Sequence, residues 1–127
     1  RLFALEPSTL SILKMGMEEG SHMIEGIGDD FIPGIVEEDL IDDIVLIHDF
    51  DAINMSKRIA KEFGLGIGIS SGANFLASVL MDSDELKIAT VFPDDNKKYI
   101  TTKLSEKIDD NPELISNKIR LIDFEVI

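Results

Sequence analysis

The segment Gly68-Ile69-Ser70-Ser71-Gly72 contains the residue types of a possible nucleophilic site. It satisfies the G-x-S-x-G pattern, in which a serine lies on a sharp turn between a strand and a helix. Such a serine needs a general base, and in that fold the acid and then the histidine follow the serine in the chain. Both histidines, His22 and His48, precede Ser70. The sequence therefore disfavours a hydrolase.

The glycines of the same stretch could also indicate a dinucleotide site. Gly66, Gly68 and Gly72 are spaced G-x-G-x-x-x-G, whereas the fingerprint requires G-x-G-x-x-G and an acidic residue about 20 positions further on. That position falls on Val91-Phe92, and the acid comes only at Asp94. The spacing therefore disfavours a dinucleotide site as well.

A third interpretation makes Ser70 and Ser71 hydrogen-bonding groups at the start of a buried helix. One hydroxyl would cap the free N–H groups, and the other would point into the crevice at the carboxyl end of the strand, where open α/β sheets bind ligands. Two capping serines with no further role remain an alternative.

Composition limits the classes of partner. The 127 residues include 25 acidic and 12 basic ones, a net charge of −13 that disfavours nucleic acid and anionic membranes. The chain has no cysteine, and His22 and His48 lack zinc-type spacing, so no metal site is expected. No apolar run is long enough to cross a bilayer. The apolar run at the N-terminus ends at Glu6 and is too short for the apolar region of a signal peptide. These features predict a cytoplasmic protein of one domain.

The first half of the chain predicts strands and one amphipathic helix. The helix has small and apolar residues on one face, acids in its first turn and Gly64 as its stop. The predicted elements are a buried strand over Leu2–Leu5, a short helix over Ser8–Lys14, a long loop over Met17–Pro33, a strand over Ile44–Ile47 covered on both faces, and the helix Asp49–Phe63.

The second half continues the alternation of strands and helices. We predict a glycine-rich strand over Leu65–Ile69, a buried helix over Ser71–Met81, an apolar strand over Lys87–Phe92, short helices over Leu104–Ile108 and Pro112–Lys118, and a terminal strand over Ile119–Ile127. This order predicts an α/β fold of βαβ units with a mostly parallel sheet covered by helices.

Five motifs lie in order along the chain: Glu6-Pro7, Gly20-Ser21-His22-Met23-Ile24-Glu25-Gly26-Ile27-Gly28, Phe31-Ile32-Pro33, Gly68-Ile69-Ser70-Ser71-Gly72-Ala73, and Pro93-Asp94 with Lys98-Tyr99-Ile100. Together they resemble the cysteine synthase family, the fold-type-II pyridoxal-phosphate (PLP) enzymes that include O-acetylserine sulfhydrylase and cystathionine β-synthase. The resemblance covers residues 1 to about 104. It implies that residues 1–127 form the C-terminal portion of the large, PLP-binding domain, with residues 105–127 unmatched.

The resemblance implies a role for two of these segments. Ser70 would hold the pyridine nitrogen of PLP, and its neutral hydroxyl would not force that nitrogen to stay protonated as a carboxylate would. Gly26, Ile27 and Gly28 would line the substrate side of the cofactor, where glycine permits close approach.

Asp29 departs from the small residue that is common in the family after Gly-Ile-Gly. One interpretation is that Asp29 and Asp30 cap a short helix through Pro33. The other is that Asp29 acts as a catalytic base, or orients a thiol or water. A second departure places Ser21, Met23 and Glu25 where the family has proline, lysine and glutamine, which leaves the ligand contacts of that loop open.

The resemblance predicts β-replacement on O-acetylserine with sulfide to make cysteine. Asp29 instead favours β-elimination or replacement on cysteine or serine, giving hydrogen sulfide or lanthionine. A non-catalytic binding module that reuses the α/β layer is a further alternative. The family's cofactor-anchoring lysine and phosphate loop are not in the chain, so we expect a C-terminal fragment that is inactive alone. We also expect it to associate with itself or with its missing half, and the complete enzyme to be a homodimer.

Overall fold

Two neighbouring parallel strands form the sheet of this chain. The computed structural model describes residues 1–81 and 87–125. Strand β1 spans Phe3–Pro7 and strand β2 spans Asp43–Ile47, paired in register from Phe3 opposite Asp43 to Pro7 opposite Ile47. Both strands were predicted, and the α/β fold class with a parallel sheet is confirmed. Val45 and Ile47 are buried, whereas Ile44 and Leu46 are only half-buried, so the predicted cover of both faces is complete on one face only.

A buried carboxylate fixes the chain just after β1. Helix α1 spans Ile12–Met15, shorter and later than the predicted helix. The Glu6 side chain accepts hydrogen bonds from the backbone N–H groups of Ile12 and Leu13, at 3.0 and 2.8 Å, and from the Ser11 hydroxyl at 2.6 Å. The free amides at the start of α1 are therefore satisfied by a side chain from the strand.

The long loop predicted over Met17–Pro33 is confirmed, because no helix or strand lies between α1 and a 3₁₀ turn over Glu38–Leu40. The connection between the parallel strands thus contains only short helical turns. Ile24 is fully buried and anchors the loop in the hydrophobic core.

Helix α2 spans Asp49–Phe63, the predicted bounds. Ala52, Ser56 and Ile59 on the predicted inner face are buried. Gly64 ends the helix in the left-handed conformation, with φ of 72°, and its N–H bonds to the Ala60 carbonyl. The amphipathic pattern therefore predicted this helix correctly.

Helix α3 spans Ile69–Leu80 and crosses α2 closely. A Cβ on Gly72 would overlap the Ser56 hydroxyl and the Ala52 carbonyl oxygen, so only glycine fits between the helices. The N-cap is Gly68, and no side chain caps the helix. The prediction that Ser70 or Ser71 caps α3 is wrong, because both serines already lie inside its first turn.

Two predicted strands are absent from the described residues. Leu65–Ile69 forms only an isolated antiparallel bridge, between Ile67 and Asp95. The Gly68 N–H donates to the Asp94 carbonyl oxygen and the Asn96 N–H donates to the Gly66 carbonyl oxygen, so the pairing is limited to this one bridge. Residues 87–92 are irregular and exposed. The Val91 carbonyl accepts a hydrogen bond from the Asn74 side chain instead of from a strand.

The C-terminal predictions are partly wrong. In place of the helix over Leu104–Ile108 the structure has a 3₁₀ turn over Lys103–Ser105, and a similar turn spans Lys97–Tyr99. Helix α4 spans Ile115–Lys118. Residues 119–125 are irregular instead of forming a strand, and residues 126–127 of that predicted strand lie outside the described residues.

Candidate functional site

The carboxyl ends of the two strands define the candidate site. Pro7 ends β1 directly beside Ile47 at the end of β2, and α2 begins two residues later at Asp49. Ligands of open parallel sheets bind at this edge, where loops and helix N-termini converge. Two segments lie near it: the loop of residues 20–37, called here the glycine loop, which contains Gly20, Gly26, Gly28 and Gly34, and the start of α3.

Gly28 holds the glycine loop against the end of β1. Gly26 and Gly28 have positive φ angles of 87° and 68°, which favour glycine. A Cβ on Gly28 would lie 2.6 Å from the Pro7 ring and 3.0 Å from His22 Nε2, whereas a Cβ on Gly26 would meet open space. The loop can therefore approach Pro7 closely only because residue 28 has no side chain.

Two side chains attach this loop to the fold. His22 Nε2 lies 2.7 Å from the Gly28 carbonyl oxygen. The Asp49 carboxylate, in the first turn of α2, accepts a hydrogen bond of 2.7 Å from the Met23 backbone N–H. The second oxygen of Asp49 and the Nδ1 atom of His22 are buried without a hydrogen-bond partner among the described residues. The sequence identified Asp49 only as a favourable charge at a helix start and gave no role to His22.

The two serines of α3 differ in how their hydroxyls are used. Both residues are buried. Ser71 Oγ lies 3.4 Å from the Asp94 carbonyl oxygen, whereas Ser70 Oγ makes no hydrogen bond to any of the described residues. Ser70 lies in the first turn of a 12-residue helix, where the helix dipole is positive. Ser70 therefore retains an unused hydroxyl that can donate to or accept from a ligand.

A network of side chains supports the turn before α3. Asp94 Oδ2 accepts 2.7 Å hydrogen bonds from the Tyr99 hydroxyl and from the Lys98 ammonium group. A Cβ on Gly68 would lie 2.9 Å from the Tyr99 ring and closer still to Asp94 Oδ1. Burial, followed by the hydrogen bond to Asp94, raises the pKa of Tyr99 above its ordinary value. The hydrogen bonds to Asp94 and Tyr99 raise the pKa of Lys98.

A recess of about 570 Å³ lies between the start of the loop and the start of α3. His22, Met23 and Ile69 line it, together with Ile53 of α2 and residues 101–103 and 105–106. The structure thus brings the residue next to Ser70 to the same recess as the loop. Ser70 itself and Gly26–Gly28 do not line this recess, and no hydrogen bond of the described residues joins Ser70 to the loop.

Asp29 is exposed and follows Gly28 directly. No helix begins at Asp29 or Asp30, since the next helical turn starts at Glu38. The helix-capping interpretation of these aspartates is therefore wrong. The catalytic interpretation of Asp29 stays a prediction.

Five lysines have partners among the described residues, and of these five only Lys103 lines the recess. Lys14 pairs with Asp43, Lys97 with Asp95 and Lys98 with Asp94. Lys57 donates to the Lys107 carbonyl oxygen, and Lys103 lies over the ring of Phe50. None of these five is positioned as a cofactor anchor.

A metal-binding cluster and a membrane-spanning helix are both absent from the described part of the chain. Residues 1–81 and 87–125 contain no group of three or more side chains that could hold a metal ion. They also contain no helix that is both long and apolar enough to cross a membrane.

The parallel sheet, the glycine loop at its carboxyl edge and the free serine at a helix start are the features of a candidate ligand site in an α/β fold. No family model matches the chain. Cysteine synthase B of Campylobacter jejuni is 42% identical over 105 residues, which are 81% of this chain and 34% of that protein.

Solved structures give the same result. A hydrogen sulfide-producing enzyme from Fusobacterium nucleatum has a TM-score of 0.85 and 40% identity, over 98% of this chain and 38% of its own. An aspartate-to-asparagine variant of that enzyme, complexed with an α-aminoacrylate intermediate, has a TM-score of 0.84 and 40% identity over 95% of this chain and 37% of its own. A cysteine synthase from Entamoeba histolytica has a TM-score of 0.80 and 32% identity, over 87% and 33%.

These findings confirm the predicted relationship to the cysteine synthase family of fold-type-II PLP enzymes. The chain spans about a third of the length of the proteins that it matches.

Proposed function

We propose that this chain supplies the pyridine-nitrogen side of the PLP site in an enzyme of sulfur amino-acid metabolism. The observation that carries the proposal is the buried position of Ser70 at the start of α3, with a hydroxyl that no described residue uses. Bound PLP withdraws electrons from the α-carbon of an amino acid, which allows the α-proton and a β-substituent to leave. The residues of this chain would bind and orient the cofactor and the substrate.

Ser70 would hold the ring nitrogen through a neutral hydroxyl. Its position fits this role because a serine can donate to an unprotonated nitrogen or accept from a protonated one. The close contacts of Gly68 with Asp94 and Tyr99 fix the backbone from which α3 and Ser70 start. Gly26, Ile27 and Gly28 would form the substrate side, with Gly28 held on Pro7.

The first candidate reaction is the replacement of the acetoxy group of O-acetylserine by sulfide, which yields cysteine. The similarity of this chain to the cysteine synthases of Campylobacter jejuni and Entamoeba histolytica supports this reaction.

A second candidate is β-elimination or replacement on cysteine or serine, with hydrogen sulfide or lanthionine as a product. Asp29 favours this reaction, because its exposed carboxylate follows the glycine loop and can act as a base toward water or a thiol. The similarity to a hydrogen sulfide-producing enzyme over nearly the whole chain supports it further.

The role of Ser70 is tested by replacing its hydroxyl in the holoenzyme. We expect Ser70→Ala to weaken PLP binding and to lower kcat by roughly 10-fold or more, since one hydrogen bond to a charged or polarised group is lost. Ser78→Ala is the matched control on the same helix, because the Ser78 hydroxyl bonds only to the Asn74 carbonyl oxygen. Unchanged PLP affinity and turnover in Ser70→Ala would remove the basis of the proposal.

The two reactions are separated by assays of cysteine formation from O-acetylserine with sulfide and of hydrogen sulfide release from cysteine. We expect Asp29→Asn to reduce hydrogen sulfide release by roughly 10²-fold, the usual contribution of a general base. Cysteine formation from the already ionised sulfide should change much less. Asp30→Asn is the matched control. Equal kinetics of Asp29→Asn and the unmodified enzyme with every donor would exclude a catalytic Asp29.

We further propose that the apolar cleft beside β1 is covered by protein in the enzyme. The cleft of about 400 Å³ is lined by Phe3 and Leu5 of β1, Ala77 and Met81 of the α3 region, and Ile88. The predicted homodimer and the association of this chain with itself would provide such cover. Size-exclusion chromatography with light scattering tests the homodimer of the complete enzyme and the self-association of this chain, and a monomer at all concentrations contradicts each of them.

The cytoplasmic location stays a prediction.

A further inference from the structure

We propose that His22 is a positioning residue that sets the direction of Asp29 by holding the peptide unit between Gly28 and Asp29. The inference rests on the proposed function of Asp29 and adds the group that orients it. Its basis is the 2.7 Å contact between His22 Nε2 and the Gly28 carbonyl oxygen, which closes the loop of residues 22–28.

The contact determines which imidazole nitrogen carries a hydrogen. A carbonyl oxygen can only accept, so His22 Nε2 must donate. The Gly28 carbonyl belongs to the same planar peptide unit as the backbone N–H of Asp29. Fixing the carbonyl oxygen therefore fixes the direction of that N–H and the plane from which the Asp29 side chain starts.

The ring that makes this contact is itself held in place. His22 is followed by Met23, whose backbone N–H bonds to the Asp49 carboxylate of α2 at 2.7 Å. The Nδ1 atom of His22 is buried and has no partner among the described residues. The Nε2 atom also lies 3.0 Å from the position that a Cβ on Gly28 would take, so the ring packs closely against Gly28. His22 thus lies between a residue that is bonded to the start of α2 and the peptide unit that precedes Asp29.

The rest of the loop offers no equivalent constraint on Asp29. Gly26 has a positive φ angle, and no atom lies within 4 Å of the position that its Cβ would take. The Asp29 side chain makes no hydrogen bond to the described residues and is exposed. Pro7 limits how far Gly28 can move toward β1 but does not fix the rotation of the peptide that follows. The His22 contact supplies the missing constraint, because it fixes the rotation of the peptide unit between Gly28 and Asp29.

The first test measures the loop without any catalytic assay. Amide hydrogen exchange of residues 24–30 is compared in the unmodified protein, His22→Phe and His22→Gln. We expect His22→Phe to speed exchange about fivefold or more, the factor that corresponds to one ordinary hydrogen bond. We expect His22→Gln, whose side-chain amide can donate to Gly28, to stay within about twofold. Ser21→Ala is the matched control, because Ser21 directly precedes His22, is exposed and makes no side-chain hydrogen bond to the described residues.

A spectroscopic measurement checks the donor directly. ¹⁵N-detected spectra of the imidazole rings are expected to show His22 with its hydrogen on Nε2. A hydrogen on Nδ1 alone, or loop exchange in His22→Phe equal to that of the unmodified protein, would overturn the inference.

The second test uses the PLP-loaded enzyme and a double-mutant cycle. If His22 acts through Asp29, His22→Phe lowers hydrogen sulfide release from cysteine about 10-fold, His22→Gln restores most of it, and adding His22→Phe to Asp29→Asn causes no further loss. The absorption spectrum and affinity of PLP should remain unchanged. Losses that multiply would show that His22 acts independently of Asp29 and would refute the positioning role. If Asp29→Asn itself has no effect, the proposed function of Asp29 fails, while the exchange experiment still decides whether His22 holds the loop.

Discussion

The most direct test of the fold is the substitution Gly72→Ala, at the position where α2 and α3 cross. A Cβ at this position would lie 3.0 Å from the Ser56 backbone nitrogen and would overlap the Ser56 hydroxyl and the Ala52 carbonyl oxygen. Two of these three atoms belong to the backbone of α2, so the helices must separate. The Ser56 hydroxyl would also move away from the carbonyl oxygens of Ala52 and Gly68, which it contacts at 3.0 and 2.9 Å.

The expected magnitude follows from three effects. Overpacking costs about 1–3 kcal/mol, the disturbed serine hydrogen bonds cost about 1 kcal/mol, and alanine gains back about 1 kcal/mol in helix propensity. We therefore expect Gly72→Ala to lower the free energy of unfolding by about 2 kcal/mol, measured by urea denaturation followed by circular dichroism.

A second variant separates the two sources of the clash. Adding Ser56→Ala removes the overlap with the hydroxyl but leaves the contact with the Ala52 carbonyl oxygen. It should therefore not restore the original stability. Ser78→Ala on α3 is the control for a small change on the same helix. If Gly72→Ala stabilises the protein by the propensity gain alone, the close approach of α2 and α3 is wrong.

Two further predictions concern Tyr99 and Asn54. Tyr99 is the single tyrosine, so ultraviolet titration should show a phenol midpoint above 10.0. The raised pKa means that the fold favours the neutral phenol. This contribution to stability is fully present below the pKa of the unfolded chain and is lost as the pH rises through the pKa of the folded protein. A midpoint at or below 10.0 contradicts the buried contact with Asp94. Asn54→Ala removes three hydrogen bonds, to Ser116, Asn117 and the Asp109 N–H, and should speed amide exchange in residues 109–119 at a cost of about 2–3 kcal/mol. Asn74→Ala is its control, because Asn74 is half-buried and makes a single side-chain hydrogen bond, to the Val91 carbonyl oxygen outside residues 109–119. Equal exchange in both variants would refute the role of Asn54.

Local patterns predicted the elements whose formation depends on neighbouring residues. The helix Asp49–Phe63 was predicted with the observed bounds, because its inner face, its acidic first turn and Gly64 all lie within the same segment. The buried strand that became β2 was predicted for the same reason. The glycine loop was recognised from its glycines, two of which do have positive φ angles.

Features that depend on distant partners were not predictable in this way. The apolar residues 87–92 resemble a strand, but a strand needs a neighbour for its backbone, and none of the described residues supplies one. The start of α3 was misplaced because Gly68 is fixed by Asp94 and Tyr99 from a later segment. His22 was missed for another reason: its partner is only six residues away, but the contact is to a backbone carbonyl oxygen and depends on the conformation of the loop, which residue types do not indicate.

The first turn of α2 joins the candidate site to the C-terminal segment that no motif covered. The Asp49 carboxylate receives the Met23 N–H of the loop, and the Asp51 carboxylate receives the Ser116 N–H at 2.7 Å. Arg58, two turns later on the same side of α2, donates to the carbonyl oxygens of Ser116 and Ile119. These buried or half-buried side chains bind backbone groups of other segments, a use that an acid or a base at a helix end does not reveal in sequence. The C-terminal segment is therefore part of what holds α2, and α2 in turn holds the loop that carries Asp29.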